Sequence, residues 1–273
     1  MDLSIIVLSY KTKRLLRECL RSIRFANPQL RYEVVVVDNA SGDGTPQMVR
    51  EEFPEHVLIE SSTNRGYAGG NNLGLAAAKG RHVMIMNPDI FVKDGALEKL
   101  VQYLDAHPDV GMVGAKLLSG DGSAQDSHYR FHELMTPVLR RTPLGRTTWG
   151  SRKIDSFLMK DTQPVDPTEV DWLLGGAFVA RREAVAEVGL LDERFFLYFD
   201  DVDWCRRFWE KGWKVVYLPH VSLTHLHQRQ SAEGDVFAVV TNPVTRIHIR
   251  SAVQYFRKYW RKPNPRTGEP IRL

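Results

Sequence analysis

Three acidic stretches in this 273-residue chain each follow directly on an apolar run. Asp38 ends "EVVVVD", Asp89 follows "HVMIM" after Asn87 and Pro88, and Asp200, Asp201 and Asp203 follow "FFLYF". Short β-branched runs of this kind read as buried strands of a parallel sheet, whose ligands bind outside the carboxyl ends of the strands. Taken singly, each acid reads equally well as an N-cap or a turn residue. Taken together they are carboxylates at one sheet edge, which repel one another unless a cation or a hydroxyl-rich ligand sits among them. Pro88 adds to the case for Asp89. It fixes its own φ and pushes Asn87 towards extended geometry, so the carboxylate stands on stiff backbone, suited to a divalent ion that holds a diphosphate in place.

The elements that must position these acids alternate between two periods. "LSIIVLS" (3–9), "EVVVVD" (33–38), "HVLIES" (56–61), "RHVMIMN" (81–87) and "VGMVGAKLL" (110–118) read as strands. Between them lie helix patterns at 12–26, 43–53, 67–80 and 94–108; in the first, Leu15, Leu16, Cys19, Leu20 and Ile23 form one amphipathic stripe. Such alternation predicts an α/β fold, a mainly parallel sheet covered on both faces. Residues 128–168 show no clear period and read as a long loop with room for short helices. Order returns with a strand leading into a helix over 169–185, a helix over 200–212, the strand "WKVVYLP" (213–219) and a basic, aromatic helix over 244–260.

Composition narrows the function classes. The apolar and charged fractions, 43% and 26%, are those of an ordinary globular protein. Of the overall +4, residues 246–272 carry eight Lys and Arg against one Glu, a net +7, which leaves −3 for everything else. A body without its own positive stripe argues against nucleic acid as a partner. Cys19 and Cys205, the only cysteines, fall in helix-like stretches and read as reduced core thiols, weakly favouring a reducing compartment. Leu3–Leu8 is too short for a secretory core and no apolar run reaches a membrane span, so the expectation is a cytoplasmic protein starting at Met1. In the basic tail, Val253, Phe256, Tyr259 and Trp260 alternate with Arg250, Arg257, Lys258 and Arg261. That mix fits a helix lying on the inner face of an anionic plasma membrane or, equally, one packing its aromatics on the body.

Six motifs, in order, carry a family resemblance: "LSIIVLSYK", "VVVVDNASGDGT", "NRGYAGGNNLGL", "MNPD", "VDWLLGGAFVARREA" and the stretch from "LDERFFLYFDDVDWCRRF" to "LTHLHQRQS". Over about residues 3–231 the chain resembles the family 2 glycosyltransferases of GT-A type, in their rhamnosyltransferase-like branch. The resemblance implies a Rossmann-like mixed sheet flanked by helices over 1–231, with a nucleotide-binding half (1–118) and an acceptor and catalytic half (119–231). A basic helix and tail would follow over 232–273. It implies nucleotide contacts from Ser9 and Tyr10 at the rim, Asp38 on the N3–H of the base, and Asn39, Arg65, Asn71 and Asn87. Gly66, Gly69, Gly70 and Gly74 would let backbone approach the ligand, the alternative being tight helix packing.

The family's metal motif is usually Asp-x-Asp; here Asn87-Pro88-Asp89 lacks the first carboxylate. One carboxylate is not disqualifying, since Mg²⁺ keeps several waters and takes one or two carboxylates plus ligand phosphates. The implied Mg²⁺ or Mn²⁺ ligands are Asp89 and His225, with His227 two residues on, the alternative being a histidine packed on the sheet edge. Asp201 aligns with the catalytic base and Asp200, in place of the commoner Glu, with its neighbour that orients the acceptor. Trp172 beside Gly175 and Gly176 would be a platform on the sugar side, the alternative being ordinary core, and residues 121–131 would line the site. Asp203 with Arg206 or Arg207 reads as a helix-surface ion pair.

The implied activity is inverting, metal-dependent transfer of a sugar from a nucleoside diphosphate to a saccharide or lipid-linked saccharide, with dTDP-L-rhamnose a candidate donor, in cell-envelope polysaccharide synthesis. Rival classes fare worse. A sugar nucleotidyltransferase would want a Gly-rich triphosphate loop after the first strand, where "SYKTKR" has no glycine, and a dinucleotide oxidoreductase would want G-x-G-x-x-G there. A non-catalytic sugar-nucleotide-binding module would not need Asp201.

Overall fold

The computed structural model describes residues 1–162, 164–226 and 242–269. The first half runs β1 (Leu3–Ser9), α1 (Lys13–Ala26), β2 (Tyr32–Asp38), α2 (Thr45–Glu52), β3 (Val57–Glu60), α3 (Gly66–Ala77), β4 (His82–Met86), β5 (Ile90–Phe91), α4 (Ala96–Ala106) and β6 (Val110–Leu118). The second half has shorter pieces: β7 (His128–Tyr129), α5 (Thr136–Leu139), a 3₁₀ turn (Pro143–Arg146), α6 (Thr148–Phe157), β8 (Thr168–Glu169) and β9 (Trp172–Leu173). Then come β10 (Ala177–Arg181), α7 (Arg182–Val188), α8 (Asp200–Glu210), β11 (Lys214–His225) and α9 (Pro243–Lys258).

The described residues form one large mixed sheet in the order β3-β2-β1-β4-β10-β6-β11-β5, with β8 on β11, and a small β7-β9 pair beside it. The pairs β1–β2, β1–β4, β2–β3 and β6–β11 are parallel, while β10 enters antiparallel between β4 and β6. Both halves of the chain therefore share one sheet. Alternate residues of the buried strands feed two cores. Ile5, Val7, Val34 and Val36 meet Leu16, Leu20 and Ile23 of α1 on one face, while Ile6, Val35 and Val37 belong to the core that takes in Trp204 and Phe208 of α8 and Tyr255 of α9. Leu16, Leu20 and Ile23 are fully buried, each stabilising by about 1.5–3 kcal/mol, which outweighs the marginal intrinsic stability of a short helix.

Three expectations change in detail. Residues 128–168 hold a ten-residue helix, α6, whose N-cap Thr147 accepts from the Gly150 backbone N–H. The strand expected over 213–219 continues to His225 past an irregularity between Leu218 and Ser222. The C-terminal helix packs Tyr255 and Tyr259 fully inside, while Val253 and Trp260 face outward, 53% and 60% exposed. Cys19 and Cys205 are buried free thiols. No helix among the described residues is long and apolar enough to cross a membrane.

Candidate active site

The carboxyl ends of β1 and β2 are fixed in register, Ser9 opposite Asp38. Asp38 is buried; one carboxylate oxygen accepts from the Ser41 backbone N–H at 3.2 Å and the other, Oδ1, has no hydrogen-bond partner in the structure. A buried carboxylate oxygen left this way is costly unless a ligand donor meets it. Tyr10 is exposed at the same rim with Lys11 Nζ 5.3 Å from its ring centre. Ser9 is fully buried and its hydroxyl shares a 2.9 Å hydrogen bond with Thr12.

Asn39 corrects the sequence reading. Its amide is consumed by the loop before α3, donating to Asn64 Oδ1 and the Gly66 carbonyl at 3.0 Å each and accepting from the Arg65 N–H at 2.9 Å. It holds that loop in place, and both of its amide hydrogens are spent there rather than offered to a nucleotide. The glycines of α3 answer the packing alternative. Gly66 has φ +71° and a Cβ there would stand 2.2 Å from the Phe196 carbonyl; on Gly70 and Gly74 a Cβ would stand 2.4 Å from Leu8 and Ile6 of β1. They let α3 lie directly on the strand and let the 190s loop dock. Arg65 lies at the surface, paired with Glu193 at 3.1 Å. Asn71 is fully buried, its amide N–H donating to the Tyr67 carbonyl while its Oδ1 has no hydrogen-bond partner.

The second cluster is built by register. The Asn87 N–H donates to the Gly176 carbonyl at 2.8 Å, tying the end of β4 to the Gly-Gly turn. Pairing of β5 with β11 sets Ile90 opposite His225, and the Leu226 N–H donates to the Asp89 carbonyl at 2.9 Å. Asp89 and His225, 136 positions apart, are thereby brought together, with His225 Nε2 3.5 Å from Asp89 Oδ2. Gln125, within the 121–131 stretch expected only to line the site, fixes the imidazole. Its Nε2 donates to the His225 carbonyl at 3.0 Å, which orients the amide, so its Oε1 accepts from His225 Nδ1 at 2.7 Å. With Nδ1 engaged in this way, Nε2 is the ring nitrogen turned towards Asp89. Asp89 Oδ1 is itself buried with no hydrogen-bond partner. An imidazole nitrogen and a carboxylate side by side form a donor pair that fits a divalent cation. Among the described residues no group of three His, Cys, Asp or Glu assembles, so phosphate and water oxygens would complete such a site. His227 lies outside the described residues.

The third cluster opens α8. Tyr198 and Phe199 both adopt left-handed backbone, φ 68° and 64°, directly before Asp200, a conformation that costs a non-glycine residue about 1–3 kcal/mol. The strain is held by neighbours. The Phe199 ring packs on His132, His248, Tyr255 and Phe256, and Ser251 Oγ of α9 donates to the Leu197 carbonyl at 2.9 Å. The Gly175 N–H then donates to Asp201 Oδ2 and the Val202 N–H to Oδ1, at 2.9 and 2.8 Å. A Cβ on Gly175 would stand 3.2 Å from both Asp201 and the Tyr67 hydroxyl. That hydroxyl donates to the Gly175 carbonyl. Burial raises Asp201 to about 6 against these two backbone donors. Asp200 is pushed well above the usual carboxylate range by deeper burial and by the charge of Asp201, and its Oδ2 has no hydrogen-bond partner. The pair thus splits into an acid that stays protonated and a carboxylate poised near neutrality.

Two expectations fail here. Trp172 is a core residue: it is buried, stacks on Tyr129 with ring centres 4.2 Å apart and donates its indole N–H to the Arg130 carbonyl at 2.8 Å. It therefore presents no open face to a sugar. Asp203 is not on the surface but fully buried, where it binds Arg207 at 2.8 Å, Lys258 at 2.5 Å and the Tyr259 hydroxyl at 2.7 Å. The distant partners Lys258 and Tyr259 have no signature in local sequence. Gly175 and Gly176 do sit at the site, and so do Asn87, Asp89, Asp200, Asp201 and His225. Because β1, β2 and β4 run parallel, Asp38 and Asp89 follow strand ends at the same sheet edge, and the Asn87–Gly176 bond carries Asp201 there too.

The mixed, mostly parallel sheet has the GT-A fold, and solved structures share it. The chain superimposes on GalNAc-T7, solved with UDP, GalNAc and Mn²⁺, with TM-score 0.68 at 14% identity, over 96% of this chain and 48% of that one, about half its length. It superimposes on a Pyrobaculum calidifontis mannosyltransferase, solved with GDP-Man and Mn²⁺, with TM-score 0.57 at 21% identity, over 94% of this chain and 74% of that one. The chain belongs to glycosyl transferase family 2, whose profile matches residues 4–189. It is 28% identical over 252 residues to the N-acetylglucosaminyl-diphospho-decaprenol L-rhamnosyltransferase of Mycobacterium tuberculosis, covering 85% of this chain and 78% of that protein.

Proposed function

We propose that this glycosyltransferase is an inverting enzyme that transfers a sugar, with L-rhamnose the first candidate, from a nucleoside diphosphate to a saccharide on a lipid carrier. Its setting would be the cytoplasmic face of the plasma membrane, in cell-envelope glycan synthesis, with peripheral contact through the C-terminal helix. The donor, acceptor and setting are supported by the likeness to the mycobacterial rhamnosyltransferase. The observation that carries the mechanism is the placement of Asp201, held by the Gly175 and Val202 N–H groups, at the Gly-Gly turn that Asn87 ties to the Asp89–His225 donor pair.

In this reading Asp38 accepts from the base and the rim at Ser9 and Tyr10 borders the nucleotide. Asn71 and Asn87 face the donor side, with Arg65 released from Glu193 to reach phosphate. Asp201 takes the proton from the acceptor hydroxyl as that oxygen bonds to the anomeric carbon; the bond from that carbon to the diphosphate breaks and its electron pair leaves with the phosphate, on the opposite face. Protonated Asp200 orients the acceptor by donating a hydrogen bond. Asp89 and His225 would hold a Mg²⁺ or Mn²⁺, which when bound neutralises charge on the departing diphosphate.

A screen of UDP-, dTDP- and GDP-sugars with a short lipid diphosphate saccharide, with and without Mn²⁺ or Mg²⁺, tests the proposal. The expected result is metal-dependent release of nucleoside diphosphate with a glycosylated product of inverted anomeric configuration. A product of retained configuration, or no product from any donor, would overturn it.

A further inference from the structure

The exposed side of α9 does not face open solvent alone. Between it and the stretch Leu134–Thr142 runs a groove of about 690 Å³, with Pro137 and Val138 on one bank and Ile249, Val253 and Trp260 on the other. Its floor includes His248 and Phe256, two of the three α9 side chains that pack against Phe199, the residue before Asp200. The groove therefore abuts the acceptor end of the active site. Val138, Ile249, Val253 and Trp260 are all exposed there, an apolar surface with no partner within the described chain.

The charged residues that line this groove are basic, and no Asp or Glu is among them. From Leu134 to Ile154 the sequence has five Lys and Arg, of which Lys153 pairs with Glu133; from Pro243 to Gly268 it has seven, of which Lys258 pairs with Asp192 and Asp203. Arg141 and Arg257 line the groove itself. The two stretches are far apart in sequence and come together only in the fold. Apolar and tryptophan side chains set among arginines, without one carboxylate, match the interfacial zone of an anionic bilayer, where rings and aliphatic chains enter the headgroup layer and guanidinium groups meet phosphate. The same sign of charge opposes a second copy of the chain, because a two-fold contact would set arginines against arginines.

We infer that the groove between α5 and α9 is a two-element seat for an anionic membrane surface, holding the acceptor end of the active site at the bilayer. The inference deepens the proposed lipid-linked acceptor and rests on it for the placement of the site, while the seat itself is argued from shape and charge. It gives the segment 134–142 a function that the C-terminal helix alone would not need.

Sedimentation of the full chain with vesicles tests it, comparing phosphatidylcholine alone with phosphatidylcholine containing phosphatidylglycerol. Binding is expected to the anionic vesicles and to weaken at high salt. One double variant, V138S with W260S, removes apolar contact from both banks; a second, R141E with R257E, reverses charge on both. Each should weaken vesicle partition about tenfold or more while leaving the melting temperature and the donor hydrolysis rate in solution at wild-type values. If V138S alone and R141E alone bind as wild type, the seat is not shared by two elements and the inference fails. Absence of vesicle binding, equal binding to neutral vesicles, or a wild-type dimer that these substitutions dissociate would overturn it too. Donor hydrolysis is read separately, so its failure would count against the glycosyltransferase mechanism and not against the seat.

Discussion

The two halves of the sheet place their carboxylates by different means. In residues 3–118 an acid gets its position from the end of the strand before it: Asp38 closes β2, and Asp89 follows β4 after a stiff Asn-Pro. In the acceptor half no strand end does this. Asp201 stands where it does because a strained Tyr198–Phe199 pair is gripped by α9 and because Gly175 meets it across the chain. The ion pairs differ in the same way. Arg24–Glu55 in the first half lies at the surface, whereas Asp203 in the second is fully buried under Lys258, Arg207 and Tyr259. Position comes cheaply from regular secondary structure and more dearly from long-range clamps.

The sharpest test of the contrast is the base. Asp201→Asn should lower transfer by about 10²–10⁴-fold while nucleotide affinity, measured by equilibrium titration, stays at the wild-type value. Because burial opposes the charge on Asp201, the variant should melt no lower than wild type at neutral pH. Next comes Asp203→Ala, which takes the buried carboxylate from Arg207 and Tyr259 and leaves Lys258 only Asp192, and should cost about 3–5 kcal/mol in denaturant unfolding. The matching Glu55→Ala, which removes the exposed partner of Arg24, should cost about 0.2–1 kcal/mol; equal losses would erase the distinction between the halves.

A smaller effect is expected at the bridge between them. Gln125→Ala leaves Asp89 and His225 in place but frees the imidazole ring, and should weaken Mn²⁺ binding in the presence of nucleoside diphosphate by about 10–100-fold, read by calorimetry. The smallest is the pH response. Asp201 must be ionised to accept the proton, and burial raises it to about 6, so kcat/KM should be level above that pH and fall about tenfold per unit below it. A profile flat down to pH 4 would place the base elsewhere.

The first half was open to reading for a local reason. A strand followed by an amphipathic helix writes its period into a dozen neighbouring residues, so β1 to β4, β6 and their helices appear within about three residues of expectation, while the two-residue β5 was not foreseen. The acids at strand ends came with them. Glycines 66, 70 and 74 show where such reading stops: their spacing is visible, but whether a ligand or a strand occupies the missing Cβ depends on Ile6, Leu8 and Phe196. Trp172, Asn39, Asp203 and Gln125 were misread or missed because each is defined by partners 25 or more positions away. The two-residue strands β7, β8 and β9 carry too few residues to show any period.

The strand order has a consequence for how the molecule is made. As the chain leaves the ribosome, β1 to β4 can pair as soon as residue 86 is out, but β6 has no neighbour until β10 arrives, since it lies between β10 and β11 in the finished sheet. Until residue 181 emerges, β4 keeps one bare edge and β6 stays unpaired, the kind of exposed template that invites intermolecular pairing. Release of a nascent or truncated chain ending near residue 120 should therefore yield aggregates, and a full-length chain should show late protection of the β6 amides in pulsed hydrogen exchange.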